Sequence, residues 1–276
     1  MDSFQPTYPA KILLFGEYTV LLGGSGLSLP WFGCGAAWIQ DPQAAPEFGA
    51  FIDFLAGEKV LSQAIHTEAL AADHAEGWRL RSTIPFGSGL GSSGVLCAAI
   101  YDRYHTKEQN LEGTRKVLSG MEGYFHGHSS GLDPLVSFLK NAIVSRKSGL
   151  EVLTDIPKLS GPGFQIELVD SASPRETRAL VEKFRVRAEK DPPYRKLIVE
   201  ELIPANEAAI NGLLTNDHEA MIMHWQVISS LSLEVFRDMI PEQLRHTWLA
   251  GISSGRTFYK LCGAGGGGYF LKLSLL

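Results

Sequence analysis

Short apolar runs alternate with longer stretches of helical period along this chain. Between Lys11 and Phe15 the period is two, with Lys11, Leu13 and Phe15 on one face and Ile12 and Leu14 on the other. A strand that stops at Gly16 is expected there. Strand-like runs recur over residues 33–39, 78–84 and 142–145, with helical patterns over 47–54 and 58–72 between them. After Gly91 the spacing predicts a helix over 92–104, a second over 111–123, and a third starting after Asp133 and Pro134. Pro157, Gly161, Pro162 and Gly163 then cluster as breakers, which places a domain boundary in this region and divides the chain into 1–158 and 159–276. Beyond it a strand over 164–169 precedes helical stretches over 176–189, 195–214 and 217–239, with Pro204 expected to kink or interrupt the middle one. The chain closes on 258–262, a glycine run, and 269–273, which suggest a hairpin-like pair of strands. Mixed α+β in two lobes is the simplest reading.

Composition narrows the class of partner. With 276 residues, 45% hydrophobic and 20% charged, the chain has ample material for a core. A net charge of −5 argues against a broad nucleic-acid surface, although a few cations and backbone amides could hold a small anionic ligand. Cys34, Cys97 and Cys262 are odd in number and far apart, so neither a disulfide framework nor a structural zinc site is expected. The first nine residues lack the charged and apolar regions of a secretory signal, and no apolar run approaches the ~18 residues of a bilayer span. A cytoplasmic protein is expected, with no membrane and no nucleic-acid partner.

Three glycine-rich elements carry candidate chemistry. The first is Ile84-Pro-Phe-Gly-Ser-Gly-Leu-Gly-Ser-Ser93, followed at once by an apolar helix. Small residues before a helix leave several N–H groups free to face an anion, helped by the helix dipole. No Gly-Lys-Ser/Thr follows, so this is not a Walker A loop. A serine N-cap on an ordinary helix would explain a lone Gly-Ser-Ser but not the full string. The second element, Lys260-Leu-Cys-Gly-Ala-Gly-Gly-Gly-Gly268, has five glycines in six positions. A plain turn needs one or two, so a loop wrapping closely around a ligand or the phosphate loop is the better explanation. The third is Pro9-Ala-Lys-Ile-Leu-Leu-Phe-Gly-Glu-Tyr-Thr-Val-Leu21, where Lys11 and Glu17 bracket an apolar strand. Taken alone, each charge is more simply a snorkelling surface group.

Together these elements resemble the three motifs of GHMP kinases, in the family's order. A fourth stretch, Glu122-Gly-Tyr-Phe-His-Gly-His-Ser-Ser-Gly-Leu-Asp133, resembles the mevalonate kinase segment in which a glutamate precedes His-Gly-Asn-Pro-Ser-Gly-Val-Asp. By itself Asp133, before Pro134, is an ordinary helix N-cap. His126 and His128 have no third ligand in sight and read as structural. Pro174-Arg-Glu-Thr-Arg-Ala-Leu-Val181 is similar to a further mevalonate kinase string. Two departures stand out: Tyr18 occupies the place of a usual histidine, and Gly94 that of a small alanine.

The resemblance implies the two-lobe GHMP kinase fold, with a ribosomal-protein-like N-terminal lobe and a ferredoxin-like C-terminal lobe. It also implies ATP-dependent phosphorylation of a small hydroxy acid, (R)-mevalonate first. ATP phosphates would lie on Ser88, Gly89, Leu90, Gly91, Ser92 and Ser93, and on Gly263, Ala264, Gly265 and Gly266. Ser93 and Glu122 would hold Mg2+, Asp133 would accept or orient the hydroxyl proton, and Lys11 would keep Asp133 ionised and steady the phosphoryl group. Glu17, Tyr18 and Thr177 would face the acceptor. Phosphomevalonate kinase, a sugar 1-kinase and a catalytically silent ligand-binding relative remain as rival readings, and a homodimer is left open.

Overall fold

Strand β1 (Tyr8–Phe15) is buried along nearly its whole length, and apart from Lys11 its residues carry no charge, as suits a strand covered on both faces. It and β2 (Gly26–Gln40) each contribute residues to two structural units. The computed structural model describes residues 6–41, 43, 48–85, 87–173 and 177–276.

One unit comprises Met1–Lys11, Pro30–Phe86 and Leu90–Asn141. Its helices are α1 (Gly49–Gly57), α2 (Lys59–Ala64) and α3 (Thr67–Ala75). The far half of β2 then pairs antiparallel with β3 (Trp78–Ser82), from Ala36 opposite Ser82 to Gln40 opposite Trp78. Helices α4 (Ser92–Tyr104), α5 (Leu111–His126) and α6 (Leu132–Leu139) follow. Tyr8, Ala36, Val95 and Ala99 form a core, with Trp38, Leu80 and Ile84 packed against it. The single helix expected over 58–72 is broken, because Ile65 adopts an extended conformation and bridges His105. Helix α4 is buried on most sides, and its small residues admit neighbours closely. A Cβ at Gly94 would lie 2.9 Å from the Pro134 nitrogen and 3.1 Å from Asp133 Cβ, so the α4 and α6 backbones nearly touch.

Asp133 is not the N-cap of α6. Gly131 takes that position at φ 73°, and Asp133 lies inside the first turn. Pro134 fits beside it because first-turn N–H groups have no helical partner to lose.

The second unit comprises Ile12–Leu29, Gly87–Gly89 and Ala142–Leu276. Here Gly26, Leu27 and Ser28 of β2 pair with β4 (Ile143–Arg146), which turns into β5 (Gly149–Val152). Strands β6 (Ser160–Gly161), β7 (Phe164–Asp170), β8 (Thr257–Leu261) and β9 (Tyr269–Leu275) make an antiparallel sheet in the order β6-β7-β9-β8. The expected closing pair of strands is β8 with β9. Helices α7 (Thr177–Lys190), α8 (Pro192–Leu197), α9 (Ile203–Leu214), α10 (His218–Val235) and α11 (Glu242–Ser254) belong to the same unit. Pro204 stands in the first turn of α9, directly after a π-helical turn at Ile198–Leu202. A ring without an N–H widens the turn before it, which is the expected interruption. Among the described residues no helix is long and apolar enough to cross a membrane.

Candidate active site

Four expected residues of the first unit converge. The backbone N–H of Lys11 donates to the Leu90 carbonyl at 3.0 Å, tying β1 to the glycine-rich loop. Its side chain, 9% exposed, then reaches Asp133 with Nζ 2.8 Å from Oδ2. Ser137 Oγ donates to the Pro9 carbonyl at 2.8 Å, which fixes α6, and so Asp133, against the strand that bears Lys11. Gly91, at φ 81°, is the N-cap of α4 and offers no side-chain cap. The serine-cap alternative therefore does not hold: Ser92 and Ser93 are the first two helical residues, and the N–H groups of that turn are left for a ligand.

Ser93 and Glu122 meet at this helix start. Ser93 Oγ donates to Glu122 Oε1 at 3.3 Å, and Ser129 Oγ donates to Glu122 Oε2. Glu122 is buried, which pushes its carboxyl pKa up to about 7. The Asp133 charge adds to the rise, while the Ser129 bond, the Lys11 charge and the Ser93 bond oppose it. A carboxylate made costly by burial and a like charge is one that an incoming cation would stabilise. The implied Mg2+ fits this donor pair, since Ser93 Oγ and Glu122 Oε1 are both oxygens and lie 3.3 Å apart. Among the described residues no group of three or more His, Cys, Asp or Glu forms a ready-made metal cage. A cation here would draw its other ligands from phosphate and water.

The sequence reading missed two participants. His126, expected to be structural, places Nε2 3.0 Å from Ser93 Oγ. Its signal was available, since Glu122 and His126 are four apart on one helix and so share a face. Ser129 gave no comparable signal.

A separate cluster forms within the second unit. Glu17 Oε1 and Lys260 Nζ form a buried ion pair at 2.5 Å, and the ammonium also donates to the Leu261 carbonyl at 2.9 Å. The Phe15 and Trp225 rings flank that ammonium at 5.5 and 5.6 Å. Tyr18, at φ 62°, donates its hydroxyl to the Ala264 carbonyl at 2.6 Å. Glu17 and Tyr18, expected at the acceptor, thus hold β8 and the loop that follows it. That loop explains its own composition: Gly263, Gly265, Gly266, Gly267 and Gly268 all have positive φ. At Gly268 a Cβ would come 2.7 Å from the Ser88 carbonyl oxygen, so the last glycine lies directly against Ser88 of the first glycine-rich element. The side chain of Thr177 and residues 174–176 lie outside the described residues.

No family model matches the chain. The mevalonate kinase of Pyrococcus abyssi is 26% identical over 304 residues, spanning 96% of this chain and 87% of its own. Among solved structures, L. major mevalonate kinase in complex with R-mevalonate superposes at a TM-score of 0.65 with 18% identity, covering 97% of this chain and 86% of that one. The chain has the GHMP kinase fold and mevalonate kinase homologues. The same fold is seen in Streptococcus pneumoniae phosphomevalonate kinase, at a TM-score of 0.67, 15% identity, and coverage of 98% of this chain and 90% of that one. These mevalonate kinase homologues support an ATP-dependent kinase.

Proposed function

We propose that this chain transfers the γ-phosphoryl group of ATP to the 5-hydroxyl of (R)-mevalonate, in the cytoplasm. The observation that carries this reading is the Lys11–Asp133 ion pair beside the Ser93–Glu122 pair, at an uncapped helix start. Phosphoryl transfer asks a protein mainly to position groups and to neutralise charge. Asp133, about one-third exposed and 2.8 Å from the Lys11 ammonium, places a carboxyl group where it can take the acceptor's proton. Lys11 supplies a cation beside it that offsets charge on the moving phosphoryl group. The amides at the start of α4 hold phosphate oxygens. When bound, Mg2+ would be held by Ser93 and Glu122 and would offset charge on the phosphate groups.

Phosphomevalonate is the second reading for the acceptor, resting on the sequence resemblance at Tyr18 alone, since the Tyr18 hydroxyl is bonded to the Ala264 carbonyl. A coupled assay of ADP release over mevalonate, phosphomevalonate, homoserine and common sugars decides between them. Highest kcat/KM for mevalonate supports the proposal. Preference for another acceptor keeps the kinase and removes the substrate.

A further inference from the structure

Ser129 does more than a turn residue requires. A serine that stabilises a turn needs only to accept a backbone N–H two residues on, and Ser129 Oγ does so from Gly131 at 2.9 Å. A hydroxyl also has one proton to give. Ser129 gives its proton to Oε2 of the buried Glu122, the oxygen not turned to Ser93. One side chain thereby joins two parts of the site. It holds one oxygen of Glu122, leaving the other directed at Ser93, and through Gly131 it fixes the N-cap of the helix bearing Asp133. The loop is itself anchored to α5, since Ser119 Oγ donates to the Ser129 carbonyl and Arg115 Nη1 to that of Ser130, both at 2.6 Å.

We infer that Ser129 is a positioning residue, whose hydroxyl orients the Glu122 carboxylate toward the cation side of Ser93 while setting the start of the Asp133 helix. The inference rests on the kinase reading above. Carboxylates that bind metals are commonly held by an outer hydrogen bond, and losing such a partner weakens metal binding or activity by about 10–100-fold. Ser129→Ala is therefore expected to raise the Kd for Mn2+ in the presence of a non-hydrolysable ATP analogue by about 10-fold or more. That Kd is read by electron paramagnetic resonance and does not depend on turnover.

The expected pattern has three parts. Ser129→Ala weakens Mn2+ binding and lowers kcat, with the acceptor KM changed less than about threefold. Ser129→Thr, which keeps the hydroxyl, restores Mn2+ binding to within a few-fold of wild type. Arg115→Ala, which loosens the same loop without touching Glu122, leaves Mn2+ binding near wild type. Wild-type Mn2+ affinity in Ser129→Ala overturns the inference, as does an equal loss in Arg115→Ala, which would reduce Ser129 to loop structure. If the wild-type protein transfers phosphate and Ser129→Ala matches it, only this inference falls. If the wild type neither binds Mn2+ with nucleotide nor transfers phosphate, the kinase reading falls and this inference with it.

Discussion

Replacing Tyr18 by Phe removes one hydroxyl and little else. The ring stays packed between Phe184 and Phe236, at centroid distances of 4.6 and 5.1 Å, so apolar burial is preserved. What is lost is the 2.6 Å bond to the Ala264 carbonyl inside the glycine loop. A net hydrogen bond is worth about 0.5–1.5 kcal/mol, and a buried acceptor left unsatisfied costs about 1–3 kcal/mol. The total of roughly 1–3 kcal/mol can appear in two places. If the loop keeps its shape, the loss lowers the stability of the folded protein. If the loop relaxes so that water meets the carbonyl, order must be restored when nucleotide binds, and KM for ATP rises by about fivefold to a hundredfold. Urea unfolding and ADP-release kinetics with ATP and mevalonate varied in turn measure both shares. A rise in the mevalonate KM alone would refute the loop-anchoring reasoning and return Tyr18 to the acceptor. Wild-type values for stability and both constants would make the bond energetically silent.

Three further experiments test neighbouring steps. Asp133→Asn should lower kcat by about 10²–10⁴ while the affinity for an ATP analogue, measured by calorimetry, changes little. Lys260→Met should cost about 3–5 kcal/mol in urea unfolding by removing the cation paired with buried Glu17, and adding Glu17→Gln should recover part of that loss. Gly94→Ala gains about 1 kcal/mol of helix propensity but must push the start of α6 outward, because its Cβ would lie 2.9 Å from the Pro134 nitrogen. A shift of about half an ångström at Asp133 should lower kcat on the order of tenfold, since 1 Å of misplacement can cost 10²-fold. Unchanged kcat would mean that α6 yields without moving Asp133.

The elements legible in the sequence were those with their own punctuation. Helix α4 starts and ends where its glycines and apolar period place it, and β7, β8 and β9 follow the breakers and glycine run that bound them. Helix α11 was missed although Leu244, Trp248 and Gly251 bury at helical spacing, because the exposed Leu249 and Ala250 blur that period. The break at Ile65 was not readable, since it depends on a bridge to His105, forty residues away. In the site, residue types that advertise chemistry were identifiable: Lys11, Glu122 and Asp133 are charges set among glycines and apolar residues. Ser129 was not, because a serine in a loop is unremarkable until its hydroxyl is seen on a buried carboxylate. Tyr18 was identified but its hydrogen bond was not, because the partner carbonyl lies 246 residues later in the chain.

The central claim is phosphoryl transfer to mevalonate by the site that Lys11, Ser93, Glu122 and Asp133 form. Phosphorus NMR of the wild-type protein mixed with ATP, Mg2+ and (R)-mevalonate tests it most directly. The account predicts that the γ-phosphate resonance of ATP decays while ADP and one new phosphomonoester resonance grow in equal amount, and that Asp133→Asn stops both. An ATP spectrum that stays unchanged with mevalonate, or an ester that forms as fast with Asp133→Asn, would contradict it.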